Sequence, residues 1–142
     1  TAGALREFLG PGEARRLGWG VPGVDVEDWR AHTAAEPADQ LDWFFEVLAT
    51  ETVAFRRAVL AFATGAATVP GGGFAALRGY EDELEAFCIR WVPYDRGNQL
   101  CRAQTCFNRL LLPRYPTRAL LRSQLRRSID LQAGFSEYAA MR

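Results

Sequence analysis

The sequence contains no lysine: its 17 basic residues are all arginine, and 17 acidic residues balance them to a formal net charge of zero. A chain without excess positive charge has no overall field that would hold a phosphate backbone or an anionic membrane surface. We therefore expect neither nucleic acid nor a membrane as a partner. The absence of lysine fits a compositional bias towards arginine and alanine.

Cysteine and histidine are scarce, with three cysteines, Cys88, Cys101 and Cys106, and a single histidine, His32. An odd number of cysteines without a Cys-x-x-Cys pair or a Cys/His cluster indicates neither a disulfide framework nor a zinc site. We expect no metal and no cofactor. Free thiols suit a reducing, intracellular setting, in the cytoplasm, the nucleus or both.

Long apolar runs are also missing, because no stretch approaches the roughly 18 consecutive apolar residues of a membrane span. The N-terminus lacks the charged-then-apolar pattern of a secretory signal, and a start at Thr1 predicts a fragment or a processed chain. With 142 residues and 49% apolar content, the chain has room for one compact core of a soluble fold.

The N-terminal 33 residues are rich in glycine and proline and show only two short helical patterns, at 4–9 and 13–17. They contain too few apolar positions to build a core alone. The polar segment AAEPAD at 34–39 follows, and its composition is typical of a linker or hinge.

Two amphipathic helices are predicted after this segment from apolar residues that recur at helical spacing. The first is carried by Leu41, Phe44, Phe45 and Leu48, and the second by Phe55, Ala58, Val59, Phe62 and Ala63. Thr50 is the predicted N-cap of the second helix, and Gly65 stands where a left-handed residue commonly ends one.

Strand and turn patterns occupy the middle of the chain. FCIRWV at 87–92 is aromatic and β-branched enough for a strand, and the end of LCRAQTCFNRLLLP at 100–113 predicts a second one. VPGGGF at 69–74 is a turn, and the acidic run at 80–86 is a solvated loop or helical turn. With a closing helix over 117–131, the predicted fold class is α+β, a small mixed domain with helices packed on a short sheet.

Cys106 follows a polar loop and precedes an apolar strand. A cysteine in such a place is either a small buried hydrophobe or a nucleophile. His32, the only imidazole, lies in another segment, which disfavours a papain-like Cys/His pair. Thioester exchange tolerates an unassisted thiol, since even a small thiolate fraction at neutral pH is strongly nucleophilic, whereas peptide hydrolysis demands more assistance.

The string TCFNRLLLPRYPTRALLRSQLRRSI at 105–129 resembles the active-site signature of HECT-type ubiquitin-protein ligases. Further motifs follow the family's order: DVEDWRAHT at 25–33, LDWFFEVL at 41–48, FATGAATVPGGGFAAL at 62–77, and GF at 134–135. The resemblance covers nearly the whole chain from Glu13 onward.

The resemblance implies three segments: residues 1–33 as the end of the HECT N-terminal lobe, 34–40 as the interlobe hinge, and 41–142 as the C-terminal, catalytic lobe. It implies that Cys106 accepts ubiquitin from a conjugating enzyme as a thioester and passes it to a substrate lysine. Ubiquitin, a ubiquitin-conjugating enzyme and protein substrates are the implied partners. A domain that handles an amine-reactive thioester would also gain by carrying no ε-amine of its own.

The resemblance also assigns residues around the nucleophile. Gln104, Thr105, Phe107 and Asn108 form the active-site loop, in which Asn108 either bonds nearby backbone or is only a turn residue, and Phe107 is expected to pack. The tail of ubiquitin is expected to lie along the strand formed by Arg109, Leu110, Leu111 and Leu112. Strand addition is a plausible binding mode. The C-terminal tail contributes Phe135 as a docking residue and Glu137 as a candidate base.

Departures from the family pattern keep two other functions open. Cys101 stands where a proline is common, Gln104 replaces a His or Ser, the hinge is short, and seven residues follow Phe135. A catalytically weak HECT-like interaction module in a larger assembly would fit these changes. A redox sensor that pairs Cys101 with Cys106 is the third interpretation.

Overall fold

The computed structural model describes residues 24–140, with side chains described to residue 132. The helical patterns predicted at 4–9 and 13–17 lie outside the described residues. Four α-helices and four strands follow one another in the described part: α1 Val26–Ala31, β1 Thr33–Ala34, α2 Asp39–Thr50, α3 Val53–Thr64, β2 Phe87–Val92, β3 Arg102–Gln104, β4 Arg109–Pro113 and α4 Arg118–Ala140. The predicted α+β class is confirmed.

The two predicted amphipathic helices are α2 and α3, and both bury the apolar stripe that the spacing indicated. The predicted N-cap of α3 is wrong. Thr50 is the last residue of α2, and its hydroxyl donates back to the Glu46 carbonyl at 3.0 Å. Thr52 caps α3 instead, because its hydroxyl accepts from the Phe55 N–H at 3.1 Å. Gly65 ends α3 at φ 82°, the left-handed conformation predicted for it.

The sheet is mixed, with strand order β1-β2-β4-β3. β2 runs parallel to both β1 and β4, while β3 and β4 are antiparallel. Phe87, Ile89, Leu110 and Leu112 point from β2 and β4 into the core, where they are almost wholly buried. β2 and β4 are the strands that the sequence predicted; β1 and β3 were not predicted.

The closing helix α4 packs on α2 and is longer than predicted, since it continues from 118 to 140 rather than ending at 131. Leu121 and Leu125 are fully buried against the core. On the outside, Arg122 and Arg126 both pair with the Glu51 carboxylate, at 2.5 and 2.7 Å. Within residues 24–140, no helix is both long and apolar enough to cross a bilayer.

The short helix α1 belongs to the same core. Asp25 caps it by accepting from the Glu27 N–H, and Trp29 is fully buried among the rings of Phe44, Phe45, Phe74 and Phe87. The Asp28 carboxylate accepts from the Phe74 N–H at 2.9 Å, which fixes the turn at 69–74 to α1. The predicted division at 33, 40 and 41 stays a prediction for the longer protein, but residues 24–34 pack here as part of one body with α2 and the sheet.

Replacing Trp29 with alanine should lower the free energy of unfolding by about 3–5 kcal/mol, because it empties the centre of the aromatic cluster. Trp29→Phe is the matched control. The indole Nε1 is buried without a hydrogen-bond partner among the described residues, so phenylalanine removes an unsatisfied donor while it keeps most of the ring contacts. Denaturant unfolding of both variants measures the difference; equal losses would contradict the packing role.

Candidate active site

Cys106 lies at the tip of a β-hairpin. β3 and β4 pair in antiparallel fashion up to the Gln104–Arg109 pair, and the four residues 105–108 connect them. Thr105–Phe107 form a single turn of 3-10 helix, in which Cys106 is exposed to solvent. The hairpin therefore presents the sulfur on the surface, supported by a strand that lies in the middle of the sheet.

Asn108 holds this turn in place. Its backbone is left-handed, at φ 49° and ψ 44°, and its side chain is buried, with 1% exposed. The Nδ2 group donates to the carbonyl oxygens of Arg78 at 3.1 Å and Glu85 at 2.8 Å. Of the two roles left open for Asn108, the backbone-bonding one is confirmed, and it is combined with the turn conformation.

The segment 78–85 lies next to the Cys106 turn and is hydrogen-bonded to it. The Tyr80 N–H donates to the Cys106 carbonyl oxygen at 3.2 Å, and a bridge between Arg78 and Leu84 closes the segment into a loop. The sequence predicted an exposed loop here but not its contact with the Cys106 turn. No residue type signals that contact, because the groups involved are backbone N–H and C=O.

The other predicted loop residues sit around the tip. The Gln104 Oε1 accepts from the Arg109 Nη1 at 2.9 Å, and the Arg109 guanidinium stacks over the Phe107 ring at 5.1 Å. Phe107 is 49% exposed, so the packing expected of it is a surface contact with Arg109 and not burial in the core. Thr105 is exposed and faces the end of α3, where a Cβ on Gly65 would lie 3.7 Å from the Thr105 Cβ.

Strand addition onto β4 is excluded in this fold, because β2 and β3 already occupy both of its edges. Leu110 and Leu112 are fully buried, which leaves only the half-exposed Arg109 and Leu111 able to meet a partner from this strand. The prediction that the strand contacts ubiquitin remains a prediction, restricted to these two side chains. The unpaired edge on this side of the sheet belongs to β3.

Cys101 is buried at the start of the hairpin, 5% exposed. Burial raises the pKa of its thiol, and the sulfur lies 3.6 Å from the Tyr115 hydroxyl. The extended strand β3 carries the chain roughly 10 Å from Cys101 to the Cys106 turn. A disulfide needs a Cα separation of about 4.4–6.8 Å, so this conformation does not permit the Cys101–Cys106 pair of the redox interpretation.

His32 contacts α1 rather than the Cys106 turn. Its Nδ1 lies 3.0 Å from the Asp28 carbonyl oxygen and 3.2 Å from the Asp28 carboxylate. Among residues 24–132, no group of three His, Cys, Asp or Glu side chains converges to hold a metal ion. Phe135 and Glu137 fall within α4, but their side chains lie outside the described residues.

Brief alkylation of the folded chain should label Cys106 first. It is the exposed thiol, Cys88 is half-buried, and Cys101 is buried with a raised pKa, so both access and thiolate fraction disfavour Cys101. Peptide mass spectrometry after a short iodoacetamide pulse measures the order. The denatured chain, which should label at all three cysteines, is the control, and Cys101 reacting as fast as Cys106 in the folded state would contradict the described burial.

Comparison with known proteins gives the family. A family model described as "HECT-domain (ubiquitin-transferase)" matches residues 3–137. The chain belongs to the HECT family. This confirms the resemblance carried by the motifs around Cys106.

Relatives of the HECT chain are longer proteins. It is 38% identical over 130 residues to "E3 ubiquitin-protein ligase hecw-1" of Caenorhabditis elegans, covering 88% of this chain and 10% of that protein. It is 41% identical over 113 residues to "E3 ubiquitin-protein ligase HACE1" of Danio rerio, covering 75% and 12%. It is 38% identical over 122 residues to "E3 ubiquitin-protein ligase pub3" of Schizosaccharomyces pombe, covering 82% and 15%. The chain thus spans 10–15% of the length of these relatives.

Proposed function

We propose that this chain is the catalytic part of a ubiquitin-protein transferase and that Cys106 carries ubiquitin as a thioester. The observation that supports this most directly is the exposed Cys106 sulfur at the tip of a hairpin. The buried Asn108 side chain fixes the turn of this hairpin through two hydrogen bonds to backbone carbonyls. Membership of the HECT family supplies the reaction class. The implied partners are ubiquitin, a conjugating enzyme and protein substrates.

The reaction is two successive acyl transfers. In the first, the Cys106 thiolate attacks the carbonyl carbon of the thioester between ubiquitin and the conjugating enzyme, a new C–S bond forms, and the conjugating enzyme's thiolate leaves. In the second, a substrate amine attacks the same carbonyl, loses a proton to solvent or to a base, and expels the Cys106 thiolate. The first step exchanges one thioester for another of nearly equal energy.

Exposure of the nucleophile matters more here than a neighbouring imidazole. The carbonyl of a second protein has to reach the sulfur, which a solvent-exposed turn permits and a buried one prevents. A reactive cysteine usually owes its low pKa to a neighbouring cation or imidazole. Thioester exchange proceeds without such help, so an environment in which His32 contacts Asp28 is compatible with it.

We also propose that residues 24–34 belong to the same moving body as Cys106. Burial of Trp29 and pairing of β1 with β2 fasten residues 24–34 to the catalytic lobe, so this segment would move with Cys106 when the lobes swing. The expected hinge at 34–40 is tethered as well, since the Trp91 Nε1 donates to the Glu36 carbonyl at 2.8 Å. An intracellular location, cytoplasmic or nuclear, is proposed from the reduced thiols.

The test is to mix a ubiquitin-charged conjugating enzyme with the full-length protein that carries this chain and to follow ubiquitin on a non-reducing gel. An adduct that disappears on adding a thiol supports transfer through a cysteine. The alternative, a catalytically weak interaction module, predicts little or no adduct even at high enzyme concentration. That alternative would be favoured by a buried Cys106, whereas the sulfur is exposed.

A further inference from the structure

The face of the sheet that points away from the helices carries three arginines on three adjacent strands. The registers align Arg90 of β2, Leu111 of β4 and Arg102 of β3 in one row across the sheet. The neighbouring row holds Cys88, Arg109 and Gln104. Strands lie about 4.8 Å apart, so Arg90 and Arg102 flank Leu111 at roughly 10 Å from each other. We call Arg90, Arg102, Arg109 and Leu111 the arginine face.

The charge of this face is not compensated within the part of the chain that the structure describes. Some of the other arginines meet carboxylates: Arg118 pairs with Glu46, and Arg122 and Arg126 pair with Glu51. Arg90 and Arg102 are exposed, and neither has an acidic partner among residues 24–132. The whole chain has a net charge of zero, so the local excess of positive charge arises from where the fold places these arginines and not from the composition of the chain. Arg109 lies on the strand between them, diagonal to both, and like charges at this spacing repel, which an anionic ligand would relieve.

An apolar cleft opens beside the arginines. It has a volume of about 600 Å³ and is lined by Val92, Pro93, Gln99, Leu100, Cys101, Arg102 and Leu111. Arg102 and Leu111 belong both to this lining and to the arginine face, so the charged surface and the cleft are continuous. A volume of this size accommodates a large apolar side chain.

We propose that the arginine face and its cleft form a docking site for an acidic segment of the protein substrate, with one apolar side chain in the cleft and flanking carboxylates on Arg90 and Arg102. Guanidinium groups recognise carboxylates through paired hydrogen bonds, which matches the charge of the face. The proposed ligand is a peptide because Leu111 and the apolar cleft provide a place for an apolar side chain, which the phosphate backbone of a nucleic acid does not offer.

The position of the site gives it a role in choosing substrates, an inference that rests on the proposed function. Arg109 and Gln104 adjoin the Cys106 turn, and the row of Arg90 and Arg102 lies two residues further along β4, about 7 Å away. A substrate held there would present lysines a few residues from its acidic segment to the thioester. The site would thus favour lysines with acidic neighbours.

Direct peptide binding tests this without any ubiquitin chemistry. Fluorescence polarisation is measured on the 142-residue chain with a labelled nine-residue peptide of glutamates around one central leucine. We expect the Kd to rise at least tenfold in the double variant Arg90→Glu/Arg102→Glu and to rise with salt, because the contacts are exposed charge pairs. The variant Arg90→Lys/Arg102→Lys should keep part of the affinity, and Arg57→Glu, an exposed arginine on α3, should leave the Kd unchanged.

Three results would overturn the proposal. These are an unchanged Kd in the charge-reversed variant, equal binding of a peptide with alanine in place of leucine, and tighter binding of a single-stranded oligonucleotide of equal charge. Circular dichroism and the thermal midpoint check folding, and Arg90→Gln/Arg102→Gln replaces the reversed pair if that one unfolds. A protein that forms the ubiquitin adduct but ignores the peptide refutes this inference alone; one that binds the peptide but forms no adduct refutes the proposed function alone.

Discussion

Cys106→Ala should reduce the ubiquitin adduct of the full-length protein to background, the largest effect expected of any substitution in this chain. The variant removes the sulfur that forms the new bond, and its side chain is exposed, so the fold has little to lose. Cys106→Ser sharpens the test. A hydroxyl at the same place should give a slow oxyester adduct that survives a thiol but is cleaved by hydroxide, which identifies position 106 as the point of attachment.

Cys88→Ala and Cys101→Ala are the matched controls for this result. Both remove a thiol of the same chain, but Cys88 is half-buried on the sheet and Cys101 is buried under the hairpin. Each should keep the thiol-labile adduct, and Cys101→Ala should do so with some loss of stability, because it leaves space beside Tyr115. Retention of the adduct in Cys106→Ala, or its loss only in one of the controls, would show that a residue other than Cys106 is the nucleophile.

Local patterns in the sequence predicted the elements whose own residues form them. α2 and α3 begin and end within two residues of the apolar repeats at 41–48 and 55–63, since amphipathic spacing is a property of the segment itself. β2 was predicted at the bounds the structure has. β1 and β3 have two and three residues, too short for a period-2 pattern, and they exist because a partner strand lies beside them.

The same distinction between local patterns and contacts made only on folding applies to the candidate site. The motif around Cys106 predicted a loop of Gln104, Thr105, Phe107 and Asn108 about the proposed nucleophile, and in the structure this segment forms the turn of a hairpin. The acceptors of the Asn108 side chain are backbone carbonyls of Arg78 and Glu85, which no choice of residue type reveals. The arginine face likewise depends on the registers of three strands, so Arg90 and Arg102, twelve positions apart in sequence, become neighbours only after folding.

Packing also connects α1 to residues on the far side of the predicted hinge. A proline-bearing polar segment at 34–39 is typical of a linker, and composition alone gives no reason to connect it to the sheet. Within the described residues, Trp29 makes this connection: its ring stacks on Phe74 at a centroid distance of 5.0 Å and meets Phe87 edge-on at 5.2 Å. These partners lie 45 and 58 positions away along the chain, beyond the reach of any local pattern.

Asn108→Gly should slow formation of the ubiquitin adduct by roughly 10- to 100-fold while Cys106 stays open to iodoacetamide. Glycine adopts φ 49° readily, so the turn conformation survives, but the two hydrogen bonds to the Arg78 and Glu85 carbonyls are lost and the turn is no longer fixed against the loop at 78–85. A displacement of about 1 Å at a reacting group is enough for a loss of this size.

Comparison with Asn108→Ala separates the hydrogen bonds from the backbone conformation. Both variants lose the same donor, which should lower the free energy of unfolding by about 2–4 kcal/mol, since two partly buried carbonyls lose their partner. Alanine pays about 1 kcal/mol more for the left-handed backbone. A merely structural role would lower the thermal midpoint and leave the adduct rate of the folded fraction unchanged. A positioning role lowers that rate in both variants while the alkylation rate of Cys106 hardly moves, because alkylation requires only access to the sulfur whereas thioester exchange also requires its orientation.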